Sequence, residues 1–183
     1  KGYALDRAAA ILRARGIAED PSQTQALRWA LEPRSPLVLI QGPPGTGKTT
    51  LIEEMCRQAV ASGLKVAVTA PSHPAVDNVL RRLVDLPLLR VASTEENISE
   101  PLRPYWTRSH GAERRFRHEA QRTGGFIMGG THIGLLNDPS VVQMSRSGHR
   151  FDLLIVDEAG MSRPEEILLS LDLAERGVLI GDQ

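Results

Sequence analysis

The chain has 183 residues, 41% hydrophobic and 24% charged, a composition that excludes disordered and fibrous proteins. Its 22 Lys plus Arg residues balance 22 Asp plus Glu residues, so attraction for a polyanion must come from a local patch. No apolar run approaches the ~18 residues of a membrane helix and no export signal opens the chain, so we expect a cytoplasmic protein with no membrane partner. A single cysteine, Cys56, excludes an internal disulfide and a multi-cysteine metal site.

The N-terminal residues 1–34 are predicted to form a helical segment. Residues 3–15 are rich in alanine, and residues 21–31 show a second helical pattern. We expect this segment to pack beside the rest of the domain, with Trp29 on the apolar side of its second helix and inside the core.

Four short apolar runs, each bounded by turn residues, predict buried strands. They are residues 37–40, 66–68, 153–156 and 178–180, and residues 88–92 and 124–130 predict two more. Unbroken apolar runs of this length suit strands that are covered on both faces, as in a parallel sheet.

Helical stretches alternate with these strands over residues 49–61, 75–84 and 165–174, the last two following prolines suited to a first helical turn. Alternating strands and helices predict right-handed crossovers. Residues 35–183 are therefore predicted to be an α/β domain with a doubly wound, mostly parallel sheet flanked by helices.

A basic segment, predicted as an insertion over about residues 100–123, stands outside this alternation. Between Arg103 and Arg122 it holds six arginines and two histidines against two glutamates. Two interpretations stay open. It guides a nucleic-acid strand, with Tyr105 and Trp106 as stacking surfaces, or it is a solvated and partly disordered insertion.

A glycine-rich loop follows the first strand and opens a helix. It satisfies the Walker A pattern G-x-x-x-x-G-K-S/T in the structural context that this motif needs. Its glycines allow the positive φ angles that turn backbone N–H groups toward phosphate oxygens at a helix N-terminus. The predicted nucleotide-binding residues of the loop are Gly42, Pro43, Pro44, Gly45, Thr46, Gly47, Lys48, Thr49 and Thr50.

Two carboxylates follow the strand at residues 153–156, in the manner of a Walker B motif. Lys48 is predicted to meet the β and γ phosphates of ATP, while the Thr49 hydroxyl and Asp157 hold Mg²⁺. Glu158 is placed to orient and deprotonate the attacking water. Lys48, Asp157 and Glu158 are therefore the predicted catalytic residues, with ATP and Mg²⁺ as cofactors.

Six motifs together carry a family resemblance. In chain order they are Gln23, the loop at 42–49, Thr-Ala-Pro-Ser-His-Pro-Ala-Val-Asp-Asn at 69–78, Gly-Thr-His-Ile-Gly at 130–134, Asp-Glu-Ala-Gly at 157–160 and Gly-Asp at 181–182. The chain resembles the first RecA-like, ATP-binding domain of superfamily 1 helicases. It is most similar to the RNA-surveillance and Senataxin-like group, whose members move 5′ to 3′ on RNA or DNA.

The resemblance implies further roles. It makes Gln23 the reader of the adenine edge, and Asp182 the residue that couples the γ-phosphate to the strand site. It also implies contacts with the backbone of single-stranded DNA or RNA, which grip the strand without reading its sequence. The implied strand contacts are Pro71, Ser72, His73, Asn78, Thr131 and His132.

The chain departs from the family pattern in several places. His73 stands where many relatives have asparagine, and the insertion before Thr131 is shorter than usual. The pattern G-D-x-x-Q places its glutamine three positions after Asp182, so Gln183 is not that residue. We expect the second RecA-like domain, with its arginine fingers, to be absent from this chain, so that the chain binds nucleotide but hydrolyses it poorly.

Two other classes of function stay open. The loop is also typical of AAA+ ATPases that remodel proteins, although the long separation of Lys48 from Asp157 and the final Gly-Asp favour a helicase. A module that only binds nucleotide is the other alternative, against which the intact Lys48, Asp157 and Glu158 argue.

Overall fold

The protein folds around one parallel sheet, seen in a computed structural model that describes residues 21–182. Six strands lie in the order β1-β6-β5-β2-β4-β3, and every neighbouring pair is parallel. They are β1 (Leu37–Gln41), β2 (Lys65–Ala70), β3 (Leu88–Arg90), β4 (Phe126–Thr131), β5 (Leu153–Val156) and β6 (Gly177–Gly181). All six predicted strands and the predicted α/β class are confirmed.

Helices cover the sheet and connect its strands. They are α1 (Pro21–Leu31), α2 (Lys48–Ala61), α3 (His73–Leu80), α4 (Ala112–Thr123), α5 (His132–Asn137), α6 (Pro139–Arg146) and α7 (Pro164–Leu171). Short 3₁₀ turns occupy Glu95–Asn97, Glu100–Tyr105 and Ala159–Met161. Between Pro21 and Asp182, none of the helices combines the length and apolar character needed to cross a bilayer. The predicted helix over 3–15 lies outside the described residues.

The two faces of the sheet bury separate apolar clusters. On β5, Leu153 and Ile155 join a cluster with α1, α2 and α3, while Leu154 and Val156 join a second cluster with α4 to α7. All four residues of this strand are buried, because successive side chains point to opposite faces and both faces are covered. The unbroken apolar runs in the sequence therefore have a direct structural cause.

Local hydrogen bonds set helix ends that differ from the prediction. α3 begins at His73 rather than at residue 75, because the Ser72 hydroxyl caps it by accepting from the Ala75 amide at 3.3 Å. It ends at Leu80 rather than at residue 84, because the amides of Arg82 and Leu83 bond three residues back in tight turns. α7 similarly ends at Leu171 and not at residue 174.

The prediction that Trp29 lies in the core was wrong. Trp29 is 52% exposed, because smaller residues of α1, including Leu27, fill the space against the core. Tyr105 and Trp106, the stacking surfaces in one of the two open interpretations of the basic segment, are half-buried and pack against the core. The Tyr105 hydroxyl donates to Val84 O at 2.9 Å, and the Trp106 indole donates to Ala92 O at 3.0 Å.

The basic segment is structured rather than partly disordered. Its second half forms α4, a helix that the sequence analysis missed because four arginines obscure the apolar spacing. The Phe116 ring meets Phe126 edge-on at 5.1 Å, and Phe126 meets Phe151 at 6.3 Å. These aromatic contacts fix α4 against the sheet.

Gly125 gives a test of how closely α2, β2 and β4 are packed. A Cβ at this position would lie 2.7 Å from Leu64 O and 2.8 Å from Val60 O, both backbone atoms that cannot rotate away. Gly125→Ala should lower the free energy of unfolding by about 1–3 kcal/mol, measured by urea denaturation. Gly160→Ala is the control, because its nearest non-local atom is 3.7 Å away. Equal unfolding free energies for the two variants would contradict this packing.

Candidate functional site

The carboxyl ends of the parallel strands meet at one edge of the sheet, and most of the predicted site residues follow them. The glycine-rich loop follows β1, Asp182 follows β6 and Asp157 follows β5, and these three strands are neighbours. The predicted strand contacts follow β2 and β4, which are next along the same edge. Such an edge is where open α/β sheets bind their ligands.

The glycine-rich loop has the backbone shape that a phosphate cradle requires. Gly45 has φ +81° and Gly47 has φ +82°, both in the left-handed region that favours glycine. Gly47 is also the N-cap of α2, and it has no side chain that could accept from the first amides of the helix. These amides therefore stay available as donors beside the loop. The Thr46 hydroxyl donates to Pro43 O at 2.8 Å and closes the turn.

The Lys48 ammonium group is held by three oxygen atoms of the protein itself. It donates to Gly42 O at 2.7 Å and to Pro43 O at 2.8 Å, and it pairs with Asp182 Oδ1 at 2.6 Å. An ammonium group has three donors, so this arrangement uses all of them. The geometry thus links the loop after β1 directly to the residue after β6.

Asp157 and Glu158 occupy different environments although they are adjacent. Asp157 is buried, and this burial raises the pKa of its carboxyl group above the usual value, opposed by the hydrogen bond that Glu158 N–H donates to Oδ1 at 3.0 Å. Glu158 is exposed and, within residues 21–182, is the only non-glycine residue with a positive φ, at 53°. Such a conformation costs about 1–3 kcal/mol and is typical of functional sites.

Gln23 reaches the same loop from α1. Its amide Nε2 donates to Thr46 O at 2.6 Å and lies 3.3 Å from where a Cβ on Gly47 would be. The structure therefore brings the predicted adenine-reading residue to the phosphate loop. In this conformation the Gln23 amide braces the backbone of the loop.

The oxygen donors near Lys48 suit a metal that a nucleotide brings with it. Residues 21–182 contain no cluster of three or more His, Cys, Asp or Glu side chains able to hold a metal alone. The Thr49 hydroxyl and the Asp157 carboxylate are hard oxygen donors, and Mg²⁺ commonly takes one or two such ligands together with phosphate oxygens and water. The residues present therefore fit Mg²⁺ bound with a nucleotide.

The predicted strand contacts lie at the ends of β2 and β4 or in the helices that follow these strands. Ala70 and Thr131 are paired across β2 and β4, so the loops after these strands start side by side. Ser72 is exposed and Thr131 is half-buried, and each caps the helix that follows it, Thr131 by accepting from Gly134 N at 3.2 Å. Pro71 is half-buried, and Asn78 is exposed on α3.

The structure contradicts the prediction that His132 contacts a strand. Its side chain is only 1% exposed and points into the protein. Nδ1 bonds to Ser170 Oγ at 2.9 Å and Nε2 to Ser162 Oγ at 3.0 Å, while burial lowers the pKa of the ring. His132 instead ties α5 to α7 and to the turn that follows Glu158.

Two charged residues of this edge were missed by the sequence analysis. Arg90 of β3 is fully buried, and its Nε donates to Asp77 Oδ1 of α3 at 2.6 Å. Its Nη2 lies 3.1 Å from Nδ1 of His73. An arginine inside an apolar run was the available signal, because a buried guanidinium needs a partner.

A cavity of about 720 Å³ lies beside the start of α4. Its charged lining combines arginines with glutamates and one histidine, namely Glu95, Glu100, Arg103, His110, Arg114 and Arg115. Because two carboxylates stand against three guanidinium groups, the cavity is only weakly positive. The interpretation of the basic segment as a guide for a strand stays a prediction.

Comparison with known proteins gives the site its family context. The model of a family described as "AAA domain" matches residues 19–124. The chain is 53% identical over 64 residues to DNA-binding protein SMUBP-2 of Rattus norvegicus, covering 35% of this chain and 6% of that protein. It is 32% identical over 184 residues to the DNA replication ATP-dependent helicase/nuclease DNA2 of Xenopus laevis, covering 98% of this chain and 16% of that protein.

A solved structure shows a similar fold. It is a nuclease-deletion mutant of the Type ISP restriction-modification enzyme LlaGI in complex with a DNA substrate mimic, with a TM-score of 0.63 and 18% identity over 87% of this chain and 17% of that one. The chain thus spans only 6% to 16% of the two curated relatives described above. Since the family model covers more than half of it, the chain belongs to the AAA domain family, and it is similar to the first RecA-like domain of superfamily 1 helicases.

Proposed function

We propose that this chain is the ATP-binding motor domain of a helicase or translocase that moves along single-stranded nucleic acid. The observation that carries the proposal is the shared edge, where Lys48 pairs with Asp182 beside Asp157 and the Ser72 and Thr131 loops follow on neighbouring strands. Relatives named as an ATP-dependent helicase and a DNA-binding protein support it. Their names make single-stranded DNA the first strand to test.

In this proposal, nucleotide phosphates replace the contacts that Lys48 now makes. The ammonium group leaves Gly42 O and Pro43 O for β- and γ-phosphate oxygens, while amides at the start of α2 donate to the same phosphates. Asp182 then loses its ion pair with Lys48, and its position would depend on whether the γ-phosphate is present. Thr49 and Asp157 would hold Mg²⁺, which neutralises phosphate charge, and Gln23 would read the adenine.

Glu158 has the environment expected of the residue that activates water. It is exposed at the end of β5, and its backbone bond to Asp157 fixes the direction in which the side chain leaves the strand. A carboxylate in reach of the γ-phosphate can orient a water molecule and accept its proton. We propose that closure against a second RecA-like domain is needed for rapid hydrolysis and for stepping along the strand.

The remodelling and binding-only alternatives have less support. The family description fits an AAA+ protein as well, but the curated relatives described above carry names that concern DNA. Lys48, Asp157 and Glu158 are all intact at one edge of the sheet. A module that only binds nucleotide would not need Glu158, whose proposed role is to activate water.

Lys48→Ala tests the phosphate site. Removing the ammonium group should weaken ATP binding about 10- to 150-fold, since hydrogen bonds to charged groups contribute about 1.5–3 kcal/mol. Equilibrium titration with a fluorescent ATP analogue measures the change. Lys65→Ala is the matched control, because Lys65 begins β2 at the opposite edge of the sheet. Unchanged affinity in Lys48→Ala would contradict the proposed site.

Glu158→Gln separates binding from hydrolysis. The amide keeps the size of the side chain but cannot accept a proton, so ATP affinity should stay the same while turnover falls about 10²- to 10⁴-fold. The measurement is ATP turnover of a form of the protein that carries a second RecA-like domain. Unchanged turnover would show that another residue activates the water.

Ser72→Asp tests the strand site without removing the helix cap. Aspartate caps helices as well as serine does, but its charge repels a phosphate, so binding to single-stranded DNA should weaken about tenfold with ATP affinity unchanged. Ser72→Asn caps α3 without adding charge and is the control. Fluorescence anisotropy with a labelled oligonucleotide measures both. If both variants bind DNA equally well, the strand does not pass Ser72.

A further inference from the structure

The buried pair of Arg90 and Asp77 is the starting observation. Arg90 is 0% exposed and Asp77 is 3% exposed, so both charges are removed from water and each requires the other. Their contact joins β3 to α3 at 2.6 Å between Nε and Oδ1. The second carboxylate oxygen of Asp77 accepts from Ser99 N at 2.6 Å, which leaves the pair little freedom to move.

The same guanidinium group determines the tautomer of His73. Its Nη2 lies 3.1 Å from His73 Nδ1, and a guanidinium group has donors but no acceptor. Nδ1 must therefore be the acceptor, and the ring proton lies on Nε2. Across the part of the chain that the structure describes, no protein group bonds to this Nε2, and the half-buried side chain lies at the start of α3.

The charges around His73 favour the neutral ring. Burial lowers the pKa of His73, and the positive charge of Arg90 lowers it further, while Asp77 acts in the opposite direction. Protonation at Nδ1 would also place a second donor against Nη2. The ring therefore presents one uncharged N–H donor at neutral pH.

We propose that Arg90 is a positioning residue for strand binding, which acts by holding His73 as an Nε2–H donor to a phosphate or sugar oxygen of single-stranded nucleic acid. The inference rests on the proposed function of this edge, and it adds a residue that does not itself touch the strand. Ser72 caps α3 and immediately precedes His73, so one strand can meet both residues. An uncharged donor grips the backbone without adding to the salt dependence of binding.

The arrangement also explains which substitution His73 tolerates. Asparagine has an acceptor oxygen for Arg90 and a separate amide donor for the strand, whereas phenylalanine keeps the ring but has neither. His73→Asn should bind single-stranded DNA like the wild type, and His73→Phe should bind about three- to tenfold more weakly, the range for one neutral hydrogen bond. ATP affinity should be the same in all three proteins.

The dependence on pH and salt separates this role from that of a charged histidine. The ratio of wild-type to His73→Asn affinity should stay constant from pH 8 to pH 6.5, and the salt slopes of the two proteins should agree. A wild-type advantage that grows as the pH falls would show that His73 binds as a cation, and would overturn the inference.

Removing the buried pair tests whether Arg90 acts through His73. The double variant Arg90→Gln with Asp77→Asn removes both charges together, so neither is left buried alone. It should bind DNA about three- to tenfold more weakly than the wild type, and adding His73→Phe should then cost no further affinity. Independent, multiplying losses would overturn the positioning role.

Nuclear magnetic resonance of the ring nitrogens tests the tautomer in the unaltered 183-residue chain, with His73→Asn used to assign the signals. The inference predicts an unprotonated Nδ1 and a protonated Nε2 at pH 7. A proton on Nδ1, or DNA binding that His73→Phe leaves unchanged, overturns the inference alone. If the ring has the predicted tautomer but the chain binds no single strand, the proposed function fails and the strand role of Arg90 fails with it.

Discussion

The parallel direction of the six strands is the constraint on which the rest of the structure depends. Because every strand runs the same way, residues far apart in sequence, such as Lys48, Asp157 and Asp182, are delivered to one edge. Both faces of the sheet are buried and closely packed, so the strand ends from which the loops begin are held in fixed positions. The proposed nucleotide site and the proposed strand site therefore share one sheet.

In the structure, hydrogen bonds within the protein satisfy the groups that ligands are proposed to take. Lys48 is held by loop carbonyls and by Asp182, Gln23 by Thr46 O, and the Ser72 hydroxyl by the amide of Ala75. Ligand binding therefore exchanges one set of hydrogen bonds for another. Exchanging neutral hydrogen bonds contributes little to the free energy of binding, whereas hydrogen bonds to a charged ligand are stronger. The Lys48 site therefore favours a polyphosphate over a neutral molecule.

Sequence patterns predicted those features of the fold that depend on neighbouring residues. The strands, α2 and the glycine-rich loop were predicted correctly, because apolar runs and positive-φ glycines depend on few distant contacts. Contacts between distant segments were missed. His132 bonds to Ser162 and Ser170, and Arg90 of β3 pairs with Asp77 of α3. Each contact joins different elements of the fold, so the pattern within one element does not predict it. The exposure of Trp29 likewise depends on what α1 packs against.

We propose that this edge drives movement along a strand only with a second RecA-like domain closed upon it. The most direct measurement is ATP turnover, with and without single-stranded DNA, by the 183-residue chain and by a form that carries a second RecA-like domain. We expect slow turnover by the chain alone, and fast turnover, stimulated by the strand, by the two-domain form. Rapid hydrolysis by the chain alone that ignores the strand would contradict it, and would indicate a self-sufficient ATPase.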